Sequence, residues 1–171
     1  MGQITLRPSD VVVACELTLS ESVQFAAISD ATGISVGECH GAVQRLVQAS
    51  LVSPTSRRSI GELLVRFLVF GVPHAFPPTI GPAVIGVPTA HAAPVFEGLI
   101  EAPEPYVWPE LDGTVRGLAL TPLYPRASEL ARKNPPLYAL LAIVDALRVG
   151  HAREREVAER LLRERMTRPA E

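Results

Sequence analysis

Residues 22–52, SVQFAAISDATGISVGECHGAVQRLVQASLV, decide the fold that this sequence predicts. A helix-length apolar pattern ends at Gly33, a residue type that tolerates the left-handed conformation found at helix ends. Ser35 follows at a position where its side chain can cap a second helix. A second helix-length pattern begins at Val36, so the sequence predicts two helices separated by a tight turn.

The second predicted helix is amphipathic. Its inward face carries small and apolar side chains that are expected to pack in a core: Val36, Cys39, Val43, Leu46 and Val47. The outward face carries small and polar side chains, which suit a surface that reads a nucleic-acid groove. It consists of Gly37, Glu38, His40, Gly41, Gln44, Arg45 and Gln48.

This segment, with a preceding helix predicted near residues 9–19, resembles the DNA-binding core of winged-helix transcription regulators, especially the MarR-like group. The matching stretches are AAISDATGIS, then V-x-x-C-x-x-x-V-x-x-L, then the exit QASLV. The resemblance implies a trihelical helix-turn-helix core whose second helix enters the major groove of double-stranded DNA. The DNA-contacting positions that it implies are Ser35, Gly37, Glu38, His40, Gly41, Gln44 and Arg45. Three further residues complete the predicted DNA-binding set: Gln48 on the same face, and Arg57 and Arg58 just beyond the helix.

The sequence after this core divides into a connecting helix and an insert. The pattern of residues 59–71 predicts the helix, which would carry a broad apolar stripe. Residues 72–126 predict an ordered but irregular insert, because the interval from Gly71 to Arg126 holds eleven of the sixteen prolines. The insert nevertheless keeps many large apolar residues, which disordered linkers lack. Short elements are expected at four places: strands near Val84–Val87, Val107 and Thr114–Leu120, and a helix from Pro94 to Glu101.

The pattern of residues 127–171 predicts helices at the C-terminal end. The first carries an apolar stripe of Leu137, Leu140, Leu141, Val144 and Leu147. The last run has seven arginines against four glutamates between residues 148 and 168, which indicates either an arm that touches phosphates or an exposed helix with internal ion pairs. In MarR-like regulators a C-terminal helix pair makes the dimer interface, so the resemblance implies that residues 127–171 form a homodimer.

The predicted fold class is therefore mainly α. It comprises a helix-turn-helix core over residues 1–58, the connecting helix, a Pro-rich insert with short strands, and C-terminal helices.

With 171 residues and a net charge of −2, the chain is a poor candidate for a protein that coats nucleic acid nonspecifically. No stretch reaches the roughly 18 apolar residues that span a bilayer, and the start lacks a leader pattern. We therefore expect no membrane association and a cytoplasmic location.

Enzyme chemistry is not indicated, so no catalytic residue, cofactor or metal is predicted. His74 and His91 lack partners at metal-ligand spacing, and no nucleophile motif or phosphate-binding glycine loop is present. The acidic run over residues 97–112 is compatible with a solvated edge, with metal or acid–base chemistry, or with a basic partner. Cys15 and Cys39 are expected as core side chains, with a redox switch at Cys39 as the alternative.

The sequence predicts a sequence-specific DNA-binding regulator, either a repressor or an antitoxin-like autoregulator, that acts as a dimer and whose insert holds a second protein. The alternative is a protein-interaction subunit that uses the trihelical core as a scaffold. Three features favour that alternative. Glu38 places a carboxylate where phosphate oxygens would approach, residues 1–60 carry four arginines against five carboxylates, and residues 53–59 leave room for at most a rudimentary wing. A third interpretation is an enzyme or small-molecule carrier that uses the histidines and the acidic insert.

Overall fold

A computed structural model describes residues 2–166 as a mainly helical fold with a small three-stranded sheet. The N-terminal part consists of α1 (Pro8–Leu19), α2 (Phe25–Thr32) and α3 (Val36–Gln48). The turn between α2 and α3 has the predicted chemistry. Gly33 is left-handed with φ of 75°, and the Ser35 hydroxyl accepts a hydrogen bond from the Glu38 amide at 3.3 Å.

The buried side of α3 packs against α1 and α2. Cys39, Val43 and Leu46 are buried as predicted, together with Ala42. The prediction that Val36 faces the core is wrong, because this side chain is 49% exposed. The buried stripe is centred on Cys39 and Leu46, so the first residue of the helix lies at its edge.

The connecting helix is longer than the predicted 59–71. It runs without a break through α4 (Gly61–Arg66), a π-helical turn (Phe67–Gly71) and α5 (Val72–Ala75). Pro73 has no amide hydrogen, so the regular backbone ladder cannot continue through it. The π turn shifts the bonding by one residue, with the Val72 amide donating to the Phe67 carbonyl, and the helix continues past Gly71.

The Pro-rich insert is ordered around three strands, close to the three places predicted. These are β1 (Ile80–Thr89), β2 (Tyr106–Pro109) and β3 (Val115–Leu120). β1 pairs antiparallel with both others, and β2 pairs parallel with β3, so the small sheet closes on itself. The helix predicted from Pro94 to Glu101 is wrong. Only two short 3₁₀ turns, Ala90–Ala92 and Pro94–Phe96, occur there, and Gly98 follows in a left-handed conformation that no helix continues through.

Such a small closed sheet requires backbone contacts that only glycine allows. A Cβ atom built on Gly86 would lie 2.1 Å from the Trp108 carbonyl oxygen, and one on Gly117 would lie 2.4 Å from the Pro105 carbonyl oxygen. Both distances are far inside van der Waals contact. The glycines of the insert therefore determine how closely its strands can approach one another.

The C-terminal part contains α6 (Leu130–Lys133), α7 (Pro135–Val149) and α8 (Ala152–Met166). α7 is apolar nearly all round, and its side chains from Leu137 to Arg148 are buried except for Ala139. It packs against α1, α5, α8 and β1, so it forms the centre of the fold rather than an outer face. Within residues 127–166, α8 is the helix that keeps a long open side, and the Arg168 of the charged run lies outside the described residues.

One continuous hydrophobic core includes residues of all four predicted segments, from Val11 in α1 to Leu162 in α8. The N-terminal helices therefore share their interior with α7. Among residues 2–166, no helix is both long enough and apolar enough to traverse a lipid bilayer.

Candidate nucleic-acid interface

α3 presents a polar, uncovered surface, which we call the α3 face. Most of the predicted site residues lie together on it: Ser35, Gly37, Glu38, His40, Gly41, Gln44 and Gln48. All of these are exposed except Gly41, which is half-buried. No other part of the described chain folds over this surface. The predicted amphipathic helix therefore has its polar side open to an incoming partner.

Two glycines keep the α3 face flat. Nothing lies within 4 Å of a Cβ atom built on Gly37, so the backbone of α3 is directly accessible there. A Cβ on Gly41 would lie 3.1 Å from Nη1 of Arg45, so this glycine makes room for the arginine side chain that crosses it. Glycine costs a helix up to about 1 kcal/mol relative to alanine. Gly37 has no packing role, and a close approach of another molecule is the function that such a position can serve.

Arg45 is bound within the protein rather than displayed on the face. Its Nε donates to Oδ2 of Asp10 at 2.8 Å, and its Nη2 donates to Oδ1 at 2.7 Å. Asp10 is 1% exposed, and its Oδ2 also accepts the Arg7 amide at 2.8 Å. Hydrogen bonding to this carboxylate raises the pKa of Arg45 further above its ordinary value. The pair fastens α3 to the start of α1, so Arg45 is a positioning residue for the face.

Arg58 is also used internally, whereas Arg57 remains at the surface. The Arg58 guanidinium donates to the carbonyl oxygens of Ser20 and Glu21 at the end of α1. Arg57 is exposed, has a positive φ of 57°, and places its guanidinium carbon 5.2 Å from the centre of the Phe25 ring. Of the three arginines predicted to contact DNA, Arg57 is the one whose position suits a phosphate.

Phe25 connects Arg57 to the α3 face. Its ring meets the His40 imidazole edge to face, with centroids 5.1 Å apart and an interplanar angle of 71°. The three side chains come from α2, α3 and the segment after α3. The stacked Arg57, Phe25 and His40 side chains place a cation and an imidazole at one edge of the α3 face.

The segment where a wing would lie is a single tight turn. Val52 and Ser59 form one antiparallel bridge, and the Ser53 amide donates to the Arg58 carbonyl at 2.9 Å. Ser59 Oγ donates to the Ala14 carbonyl at 2.7 Å, which holds the turn against α1. The turn is short and fixed, and Arg57 lies at its surface.

The C-terminal half supports the turn before α3. The Tyr124 hydroxyl donates to the carbonyl of Thr32, and Nδ2 of the Asn134 side chain donates to the carbonyl of Ala31 at 3.1 Å. Arg126 lies over Gly33, 3.8 Å from the position of a Cβ atom there. These contacts connect the end of α2 and the turn before α3 to the C-terminal half of the chain.

A buried polar network that the sequence does not predict joins β1, β2 and α7 in the C-terminal half. Asp145 accepts hydrogen bonds from Thr89 Oγ1 at 2.8 Å, Trp108 Nε1 at 2.7 Å and Arg148 Nη1 at 2.7 Å. Burial raises the pKa of Asp145, and the charge of Arg148 opposes that shift. The only signal in the sequence is an aspartate and an arginine three residues apart in an otherwise apolar helix, which predicts a buried pair.

His74, His91, Cys15 and Cys39 have separate surroundings in the described structure. His91 Nε2 lies 3.0 Å from the Glu104 carbonyl oxygen, and His74 lies elsewhere, exposed on α5. Within residues 2–166 no three His, Cys, Asp or Glu side chains lie close enough together to hold a metal ion. Both cysteines are buried, and burial raises the pKa of Cys15 to about 12 and also raises that of Cys39. A protonated, enclosed thiol does not favour the redox switch at Cys39.

Comparison with protein-family models, curated proteins and solved structures gave no match to this chain. The functional interpretation therefore depends on the geometry of the α3 face and its supports.

Proposed function

We propose that this protein is a sequence-specific DNA-binding transcriptional regulator, a repressor or an antitoxin-like autoregulator, that acts as a cytoplasmic homodimer. In this proposal α1, α2 and α3 form a helix-turn-helix core of the MarR-like, winged-helix type with a reduced wing. α3 is the helix that enters the major groove. The observation that carries the proposal is the open, glycine-containing α3 face on a helix whose other sides are locked in place.

The side chains of the α3 face suit base recognition better than strong phosphate binding. Gln44 and Gln48 can each make paired hydrogen bonds with an adenine edge, and Glu38 can accept a hydrogen bond from cytosine. Arg57, steadied by Phe25, supplies a cation at the edge of the face where the DNA backbone would pass. Because Arg45 and Arg58 are engaged inside the protein, nonspecific affinity should be low.

The test is selection of genomic DNA fragments by the purified full-length protein, followed by binding titrations on the selected duplex. Gln44→Ala should weaken binding to that duplex by about 5- to 150-fold, as loss of one paired base contact does. Arg57→Ala should weaken binding to all duplexes alike and lower the slope of affinity against salt by about 1 per protomer. Arg116→Ala, an exposed change on β3, is the matched control.

Enrichment of one sequence and loss of its binding in Gln44→Ala, with the control unchanged, would support the proposal. Failure to enrich any sequence, or equal binding by Gln44→Ala and Arg116→Ala, would overturn it.

A second candidate is a protein-interaction subunit that uses the same three helices as a scaffold. It is favoured by the internal engagement of Arg45 and Arg58 and by Leu111, which is 98% exposed in the loop between β2 and β3. Acidic residues Glu110 and Asp112 flank that leucine, so a partner with an apolar pocket and a basic rim would fit the insert.

A protein that copurifies with the wild type and is lost with Leu111→Ser, while no DNA is retained, would favour the second candidate. If both DNA and such a partner bind, the insert holds a second protein on a DNA-binding regulator, and the first proposal stands.

A further inference from the structure

The α3 face has two edges on opposite sides of the helix. At about 100° per residue, His40 and Arg45 lie about 140° apart around α3, and Gln44 lies between them. The first edge, on the His40 side, carries the exposed Arg57. The second edge, on the Arg45 side, is where α3 meets the start of α1.

Arg7 lies at the second edge, next to Arg45. Oδ2 of Asp10 accepts hydrogen bonds from Nε of Arg45 and from the Arg7 amide, each at 2.8 Å. The Arg7 side chain is exposed, and its guanidinium forms no ion pair within residues 2–166. With Glu38 of α3 it lines a surface cavity of about 450 Å³. Unlike Arg45, Arg7 is therefore available to a partner that approaches α3 from this side.

Arg126 reaches the same edge from the C-terminal half. It lines the same cavity as Arg7, and its Nη1 lies 3.8 Å from the position of a Cβ atom on Gly33. Nε and Nη2 of Arg126 donate to Glu129, whose carboxylate also accepts from Lys133 at 2.8 Å. Nη1 has no acceptor within the described residues, so Arg126 keeps a free donor beside the turn that precedes α3.

The second edge has a positive charge balance. Arg7, Arg126 and Lys133 carry three positive charges, against the two negative charges of Glu38 and Glu129. The first edge also carries a cation, so positive charge borders the α3 face on both sides.

The dimensions of DNA give these two edges a common partner. A major groove is about 12 Å wide. A helix with its side chains is about 10–12 Å across. A helix in the groove therefore has one phosphate backbone on each side, and cations at both of its edges can each meet one strand.

We infer that Arg7 and Arg126 form a second phosphate-binding edge of the α3 face, which contacts the DNA strand opposite to the one that Arg57 contacts. The inference rests on the proposed function and adds two residues to its interface. Neither is among the DNA-contacting positions implied by the resemblance to helix-turn-helix regulators. Because Arg126 comes from the segment after β3, full affinity for DNA requires the complete fold and not only α1, α2 and α3.

The test is a salt-dependent binding titration of the full-length protein on the selected duplex and, in parallel, on a random-sequence duplex at low salt. Arg7→Gln and Arg126→Gln should each weaken binding to the selected duplex about 5- to 10-fold per protomer at about 0.1 M salt, because each removes one phosphate contact. On both duplexes each should lower the slope of log affinity against log salt by about 1 per protomer. Arg7→Lys keeps the charge and should keep the slope. Arg116→Gln, an exposed change on β3, is the matched control, and circular dichroism should show an unchanged fold in every variant.

The strand assignment needs a second measurement. An iron chelate that generates hydroxyl radicals is attached to Arg7→Cys or to Arg57→Cys, since the native Cys15 and Cys39 are buried. The two attached chelates should cut opposite strands of the bound duplex. Cutting centred on the same strand from both positions would overturn the inference.

The titrations separate failure of the inference from failure of the proposed function. If Arg57→Ala lowers the salt slope while Arg7→Gln or Arg126→Gln behaves like Arg116→Gln, the inference is overturned and the proposed function stands. If both variants lower the slope on the random-sequence duplex but no sequence is selected, the inference is supported and the sequence-specific function is overturned. Absence of binding to either duplex would overturn both.

Discussion

Asp145 shows how one residue can organise a large part of this fold. Its two carboxylate oxygens accept three hydrogen bonds, from β1, β2 and α7 itself. Arg148 extends the network by donating to the Phe76 carbonyl at 2.8 Å. A buried charge is tolerated only when it is paired and fully hydrogen-bonded, so the network is stable as a unit and vulnerable to the loss of one member.

Asp145→Ala should destabilise the protein by about 3–5 kcal/mol, because it leaves Arg148 buried without its carboxylate. Urea unfolding followed by the fluorescence of Trp108, the single tryptophan, measures this. Asp112→Ala, at an exposed site, should change stability by less than about 0.5 kcal/mol. A loss of under about 1 kcal/mol in Asp145→Ala would show that the network is not a unit.

Arg45 and Gln44 are neighbours in sequence with different expected roles. Arg45→Ala should destabilise the protein by about 3 kcal/mol, because Asp10 would remain buried without its partner. Gln44→Ala should leave stability within about 0.5 kcal/mol of the wild type. Thermal unfolding of both variants separates the roles. If Arg45→Ala is as stable as the wild type yet loses DNA binding, its guanidinium binds DNA directly and the positioning role is wrong.

At the scale of elements, the closed sheet shows why the insert is ordered despite its eleven prolines. The first part of β1 pairs with β3 and the last part pairs with β2, and the two registers meet at Gly86. Pro82 and Pro88 fall within this strand, which is possible because the ladder is interrupted by an irregularity between Ile80 and Ala83 and changes partner near Gly86.

Gly86→Ala and Gly81→Ala compare two glycines of the same strand. The first places a methyl group 2.1 Å from the Trp108 carbonyl oxygen and should cost about 3 kcal/mol through strain. The second places it 3.5 Å from Ala119 Cβ, an ordinary contact, and should be nearly neutral. Urea unfolding of both variants is the measurement, and equal stability would mean that the sheet is not closed as described.

At the scale of the whole molecule, Asn134 and Glu16 join the N-terminal helices to α7. Asn134 Nδ2 donates to Glu16 Oε2 at 3.0 Å, and Asn134 Oδ1 accepts the Leu137 amide at 3.3 Å, which caps α7. Because this junction and the shared core connect all four segments, we expect one cooperative unfolding transition rather than separate ones.

Burial raises the pKa of Glu16 above its ordinary value of 4.5, and the bond from Asn134 only partly offsets this. The folded state therefore keeps the Glu16 proton to a higher pH than the unfolded state does. This residue's contribution to stability accordingly falls as pH rises from 4.5 through the raised value. Glu16→Gln should remove that part of the slope and be more stable at neutral pH. Urea unfolding across pH 4.5–7.5 tests this, and parallel curves for both proteins would contradict it.

The parts of the fold that were predictable from sequence depend on local signals. Gly33 and Ser35 specify a turn and a cap within a few residues, and the strand-forming residues of the insert stand out between prolines. The Arg45–Asp10 pair joins residues 35 positions apart, and two partners of Asp145, Thr89 and Trp108, lie 56 and 37 positions away from it in sequence. Contacts between residues so far apart cannot be predicted from the spacing of neighbouring residues. The shared exposure of the residues on the α3 face was therefore predictable, whereas the internal hydrogen bonds of Arg45 and Arg58 were not.

The accessibility of α3 to a thiol reagent, measured with and without DNA, shows whether this helix enters the DNA groove. Val36→Cys places a reactive thiol at the exposed start of α3, while the native Cys15 and Cys39 are buried. On adding the selected duplex, the labelling rate of Val36→Cys should fall steeply, and that of the control Arg116→Cys should not change. Undiminished labelling of Val36→Cys while the duplex is bound would contradict the claim that α3 enters the DNA groove.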